Sequence, residues 1–544
     1  MASSIISLSN RNFGGIRRKN SRFDDTQITC SDCQNVELYF TESNSGVGLR
    51  TAKGNKVLLD YFAENEEIIE VFETIQLGTK YLIAYTILEG EGRLYKCELD
   101  TEQPELLVSG LNGLRMASGC NFVQGVLDMF IFSNGEDIKF IYSNTDTLEK
   151  FVVEKDSNIH MQYEGTTVKG LGLHVYDNRL WIFNGQTLFY SNQTDCRNFV
   201  PDADATLVTS AGYINFVKNI TAIYPYLGSL AVFHADSSAL VMADATTGFK
   251  VSEESPGGCA SYKSLVFHGT DLYFYDDSKK GVFSFQQIVN GDKTLGDNVA
   301  LDIQTELMQI TDVDEIKALS VVTSDRNEVW FLLPISNEIN RSIVMIFDYL
   351  RGEWIKRKCQ HINTITIYKN SLVSAGKKIY EEYSTDLFDG EYIEHFYICS
   401  YLNFLSDTSL KITKFPPRIS VDASYGNNFF VQYVKNYDML KSPKIKEIKA
   451  KSAKNIFTYN SGITYNSGYR YKPTNITQTC KLPSANFKAL QIKFYTKTER
   501  QDFCIKSLEF TKIKVKQIWL LLELQNTLCL IMQSVESSLN NIKK

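Results

Sequence analysis

The residues able to bind a metal or move a proton are few and scattered. One Cys30-x-x-Cys33 pair occurs, with no second pair nearby. Two thiolates leave a tetrahedral zinc site half built. A thioredoxin-type use wants a strand–helix–strand context, which the flanking sequence lacks. The pair is expected to be structural. The six histidines are His160, His174, His234, His268, His361 and His395, and no two are four residues apart. A His-x-x-x-His metal helix is therefore absent. His174, His234 and His268 fall in or beside expected strands and read as core or inter-blade histidines.

Phosphate loops, dinucleotide fingerprints and the Gly-x-Ser-x-Gly elbow are missing from the sequence. Glycosidases need paired carboxylates, but the acidic residues here sit mostly in turns, where Asp commonly serves backbone geometry. The stretch Ser324-Asp325-Arg326-Asn327-Glu328-Val329-Trp330 approaches a sialidase-type box but lacks its glycine and spacing. Asp202-Ala203-Asp204 resembles the start of a calcium loop without the required Gly and Glu. No catalytic, cofactor-binding or metal residue is assigned, and the chain is not expected to be an enzyme.

Composition narrows the classes further. The chain has 544 residues, 57 Lys+Arg against 63 Asp+Glu, and 43% hydrophobic residues. That excludes wholesale disorder, and its length suggests more than one core. A net charge of −6 argues against binding nucleic acid by blanket phosphate neutralisation. The longest apolar run, Ile518 to Met532, is interrupted by Glu523, Gln525 and Asn526, so no membrane partner is expected. Met1 to Asn10 does not read as a signal peptide. The 11 scattered cysteines read as reduced thiols of a cytoplasmic product.

The elements that must carry these residues are strands. A unit of apolar strand, tight polar turn and second apolar strand recurs through the middle of the chain. Leu82, Phe130, Leu180, Leu230, Leu272, Val329 and Leu372 are taken as equivalent first-strand anchors, spaced by about 42 to 57 residues. Asn134-Gly135, Asn184-Gly185, Gly90-Glu91-Gly92 and Asp276-Asp277 supply hairpin turns. In Leu180-Trp181-Ile182-Phe183 both faces are apolar, as in strands packed between neighbouring sheets. The expected architecture is all-β. An N-terminal arm with the first strands covers 1–60. A six- or seven-bladed β-propeller covers 61–395, since a ring of repeats buries faces that one repeat cannot. A small β-sandwich over 396–515 and a C-terminal helix over 516–544 follow. The run Lys441, Lys444, Lys446, Lys449, Lys451 and Lys454 reads as a solvated edge or as a contact for an acidic partner. Leu521, Leu524, Leu528, Ile531, Val535, Ser538 and Ile542 keep heptad spacing. They suit either packing on their own chain or an intermolecular bundle.

Three phrases resemble a known family. Phe13-Gly14-Gly15 leads to Cys33-Gln34-Asn35-Val36 and then to Arg50 with Gly54. Arg179-Leu180 is followed by Tyr190-Ser191 and Asn198-Phe199. Asp348, Gly352 and Trp354 close a hairpin. Their order is similar to that in tailed-phage tail nozzle proteins (tail tubular protein B) and the phage stabilisation, or tail accessory, propellers. The heptad segment departs from that pattern. The resemblance implies a structural virion protein assembled in host cytoplasm. Such a protein joins a neck or tail ring, commonly of six copies, beside portal, adaptor and tail-fibre proteins. The ring extends the DNA channel and retains the genome without sequence-specific contacts. The competing readings are a carbohydrate- or receptor-binding propeller and, further off, a propeller glycosidase.

Overall fold

In the computed structural model, the described residues are 4–17, 27–40, 46–98, 103–163, 165–201, 209–244, 248–290, 295–323, 325–335, 341–392, 394–401, 410–415, 417–422, 428–435, 444–449, 456–457, 470–471, 477–481, 485–487, 490–498 and 501–517. They are mostly strand, as an all-β chain requires. Two compact units emerge. One spans 53–393; the other joins 1–52 to 394–544.

The 53–393 unit carries seven larger antiparallel sheets among its described residues, each a meander of consecutive strands. Sheet I runs through Glu67–Gln76, Thr79–Leu88, Glu91–Cys97 and Glu105–Asn112. Sheet II begins at Ser118–Gln124, sheet III at Leu171–Tyr176, sheet IV at Ile220–Tyr226 and sheet V at Leu265–His268. Sheet VI begins at Lys317–Val322 and sheet VII at Ile362–Tyr368. Sheet V has three strands, followed by the short helix Phe285–Asn290. Helix residues Phe285 and Ile288 are buried with Phe233 of sheet IV.

The seven repeat anchors fall one per sheet, and all are buried. Each lies on the second strand of its sheet rather than the first, so the sequence repeat is one strand out of phase with the sheets. The reason is physical. The second strands are flanked on both sides and packed on both faces, which gives them the densest apolar signal. Leu180 to Phe183 illustrates this: Leu180 and Ile182 face the core shared with sheet II. Trp181 and Phe183 face the core shared with sheet IV.

Every sheet packs on the next. Buried clusters join I to II, II to III, III to IV, IV to V and VII to I. Tyr273 meets Phe347 between V and VI, and Trp330 meets Tyr383 between VI and VII. The first strands of I, II, III and IV are neighbours in turn, as are those of V, VI and VII. The first strand of sheet IV touches the 3-10 turn Tyr262–Ser264 that leads into V. The first strand of VII packs beside that of I, which completes a circuit.

Sheet VII is finished by the chain's earlier strand Asn55–Leu59, paired with Ile379–Glu382. A buried latch holds this closure. Arg357 donates to Glu382 Oε2 at 2.5 Å and to the Lys53 carbonyl at 2.9 Å. Glu382 also accepts from Ser374 and Asn55. The Arg357 guanidinium lies 4.4 Å from the Tyr383 ring centre, and Arg326 lies 3.4 Å from the same ring. Gly54 is obligatory here, because a Cβ would stand 2.0 Å from the Leu387 carbonyl oxygen.

The second unit has two sheets sharing one strand, Ser4–Ile16. Its first part pairs with the long final strand Cys504–Gln517 and its end pairs with Gln27–Gln34. Around the final strand lie Val47–Thr51, Leu410–Phe415 and Pro417–Asp422. The other sheet continues from Gln27–Gln34 through Phe396–Cys399, Leu490–Tyr495 and Asn428–Lys435 to Lys444–Lys449. Phe13, Tyr397, Phe494, Phe429 and Phe503 form an edge-to-face chain of rings in its core.

Two expected boundaries therefore change. Residues 1–52 are not a separate arm but part of the second unit, and the division falls near 52/53 rather than 60/61. A pairing partner some five hundred residues away leaves no periodic trace near the N-terminus. The heptad segment lies outside the described residues, as do Asp202, Asp204, Ser324, Lys441, Lys451 and Lys454. Lys446 and Lys449 are exposed on the strand Lys444–Lys449, consistent with a solvated edge.

Candidate functional site

Where the first strands of sheets I and VII begin, a charged cluster is packed inside the circuit. Its centre is Glu70, on the first strand of sheet I and 1% exposed. Its Oε1 accepts from Lys317 Nζ at 2.9 Å and from the Thr364 hydroxyl. Lys263 Nζ lies 3.6 Å from Oε2. Groups leading into sheets I, V, VI and VII thus converge on one carboxylate. Burial pushes the Glu70 carboxyl up, but Lys317 and Lys263 outweigh it and hold it below the usual carboxylate range. Burial pushes the Lys263 ammonium down, against the pull of Glu70.

Beside the cluster is a cavity of about 240 Å³. Its polar wall comes from Arg115, Lys263, Glu315, Arg341 and His361, and its apolar wall includes Leu332, Ile335 and Ile362. Arg115 bridges Glu67 at 2.7 Å and Glu315 at 2.9 Å. Asn363 donates to Glu67 Oε1 and to the Ile68 carbonyl. Arg341 pairs with Glu391 at the exposed rim. None of these wall residues was singled out as part of a site from the sequence. They come from several repeats and turns, and only the circuit brings them together.

The sequence candidates are positioned otherwise. Cys30 and Cys33 are fully buried on Gln27–Gln34, where Cys30 faces Cys399 across the ladder. Burial first, then Cys33 beside it, raises the Cys30 thiol well above its ordinary value. Among the described residues no three His, Cys, Asp or Glu side chains converge as a metal group. His234 and His268 are core histidines, bonded through Nδ1 to the Asn219 carbonyl and the Ser320 hydroxyl. His174 meets the Tyr224 ring, and burial brings its imidazole down to about 4. His395 is buried between Thr496 and the Ala52 carbonyl.

The residues of the three phrases are structural. Tyr397 Oη donates to the Gly14 carbonyl at 2.7 Å. Asn35 holds φ 54° while Ala52 N–H donates to its carbonyl. Arg50 pairs with Glu37. Arg179, 1% exposed, donates to the carbonyls of Ser191, Thr209 and Ser210, and Ser191 Oγ accepts from Leu180 N–H. Asp348 accepts from the N–H groups of Leu350 and Arg351 to shape the turn before Gly352. Trp354 Nε1 donates to the Val299 carbonyl.

No protein family model matches the chain, and no curated protein matches it significantly. Among solved structures it is similar to Sqt1 of Saccharomyces cerevisiae, at 9% identity and a TM-score of 0.35, over 70% of this chain and 97% of that one. It is also similar to a functionally unknown protein from Desulfotomaculum acetoxidans DSM 771, at 10% identity and a TM-score of 0.32, over 53% of this chain and 96% of that one. Among the described residues no helix is long and apolar enough to cross a membrane.

Proposed function

We propose that the seven sheets are the blades of one β-propeller, that the second unit is a small β-sandwich, and that the protein is a structural virion component of a tailed bacteriophage. In this reading it forms part of the tail nozzle, or stopper, ring that extends the DNA channel and retains the genome. Its partners are further copies of itself, commonly six, and the adjacent portal, adaptor and tail-fibre proteins. The observation that carries the reading is the fate of the three nozzle-like phrases. Their residues sit at the joints of the fold: the strand shared by two sheets, the Gly54 closure, the Arg179 clamp and the Asp348 turn. A resemblance in residues that build joints is one of architecture.

The mechanical demands fit. A circuit sealed by an ion pair 2% and 1% exposed resists opening, because separating buried partners strands a charge. In this reading DNA passes along the axis of the ring of copies and not through one chain. A net charge of −6 lets a polyanion slide without being gripped. Mass photometry of the full chain, alone and with its genomic neighbours, tests this; discrete ring masses are expected. The cavity lends its support to the ligand-binding propeller, which predicts a glycan-array signal.

A further inference from the structure

We propose that the cavity beside Glu70 is a binding site for a small organic anion, a carboxylate or phosphomonoester with an apolar body. The charge on the wall is uneven. Arg115, Lys263 and Arg341 line it, against Glu315 as the single carboxylate among the described lining residues. The acids that balance the cations, Glu67 and Glu70, stand behind the wall.

Lys263 is the anchor. It is 8% exposed, and a buried ammonium normally finds acceptors for its three N–H groups. Here it has the Arg115 carbonyl at 3.2 Å and, beyond hydrogen-bond reach at 3.6 Å, Glu70 Oε2. That oxygen is itself without a donor. Lys317, at 2.9 Å, already matches the Glu70 charge, and Glu315 and Asp314 also act on Lys263 through space, so what Lys263 lacks is a close acceptor. An anion in the cavity supplies the missing acceptor.

Arg341 is the second contact. Its partner Glu391 is 68% exposed at the side chain, and such a surface pair is readily exchanged. His361 stands at the wall, solvent-exposed and near enough to Glu67 to act on its charge. Leu332, Ile335 and Ile362 offer the body of the ligand an apolar surface. Anionic head and apolar body together match what small-molecule sites select.

The test uses the full chain and four probes: hexanoate, monohexyl phosphate, 1-hexanol and inorganic phosphate, by titration calorimetry and thermal shift at constant ionic strength. At least one of the two hexyl anions is expected to bind, about tenfold or more tighter than hexanol. Stronger hexanoate binding assigns a carboxylate ligand, and stronger hexyl phosphate binding a phosphate. Arg341→Gln, at the solvated rim, is expected to weaken binding about tenfold with an unchanged melting temperature. Lys263→Met is expected to abolish it. Three outcomes overturn the proposal: equal affinity for hexanol and the hexyl anions, anion binding undiminished in Arg341→Gln, or no hexyl anion bound at millimolar concentration. Binding of inorganic phosphate as tight as that of the hexyl anions denies the apolar wall a role and also overturns it.

Discussion

His174 shows how a single side chain records its surroundings. Its imidazole is desolvated beside Tyr224 and brought down to about 4, against about 6.5 in an unfolded chain. The unfolded state therefore takes up the proton first. Stability from this site is whole above about pH 6.5 and is lost as pH falls toward 4. The loss is expected to be about 1–3 kcal/mol, since the ring is only half-buried. Urea denaturation across that range should show it, and His174→Gln should flatten the slope between those two pH values. At this scale the sequence was informative about role: His174, His234 and His268 read as core or inter-blade histidines and lie in or against the core. It was silent about Glu70 and Lys263. A charged residue in a strand or a turn looks like any solvated one until the circuit puts its partners around it.

Turns and closures behave similarly at the scale of elements. Gly90, Gly135 and Gly185, read as turn residues, hold φ of 84°, 100° and 57°. Leu227, in the turn between the first two strands of sheet IV, holds φ 45° and is 72% exposed. A leucine there carries a left-handed backbone cost of about 1–2 kcal/mol with little burial to offset it. Leu227→Asn is expected to raise stability by about 1 kcal/mol, read as an upward shift of the urea midpoint at constant slope. The opposite sign is expected at the latch. Arg357→Met leaves Glu382 buried without its main partner, and a loss of about 3–5 kcal/mol should follow. It should be accompanied by early proteolysis near Asn55–Leu59, where the closing strand is released. The hairpin repeat was legible because neighbouring strands lie close in sequence. The closure by Asn55–Leu59 was not, because its partner Ile379–Glu382 lies more than three hundred residues away.

For the whole molecule, the two units have interleaved sequences: the 53–393 unit is inserted between the two segments of the other. Periodicity reveals the inserted circuit and hides the discontinuous unit, whose shared strand Ser4–Ile16 joins a neighbour near it in sequence and the final strand far from it. A fold locked by buried pairs, with its nozzle-like phrases at its joints, suits a part that bears load in an assembly. Negative-stain microscopy of the purified full chain, alone and mixed with the products of the neighbouring genes, tests the proposed ring role most directly. Closed rings of uniform copy number with an axial opening between protomers are expected. Single, unassociated particles in both preparations would contradict it.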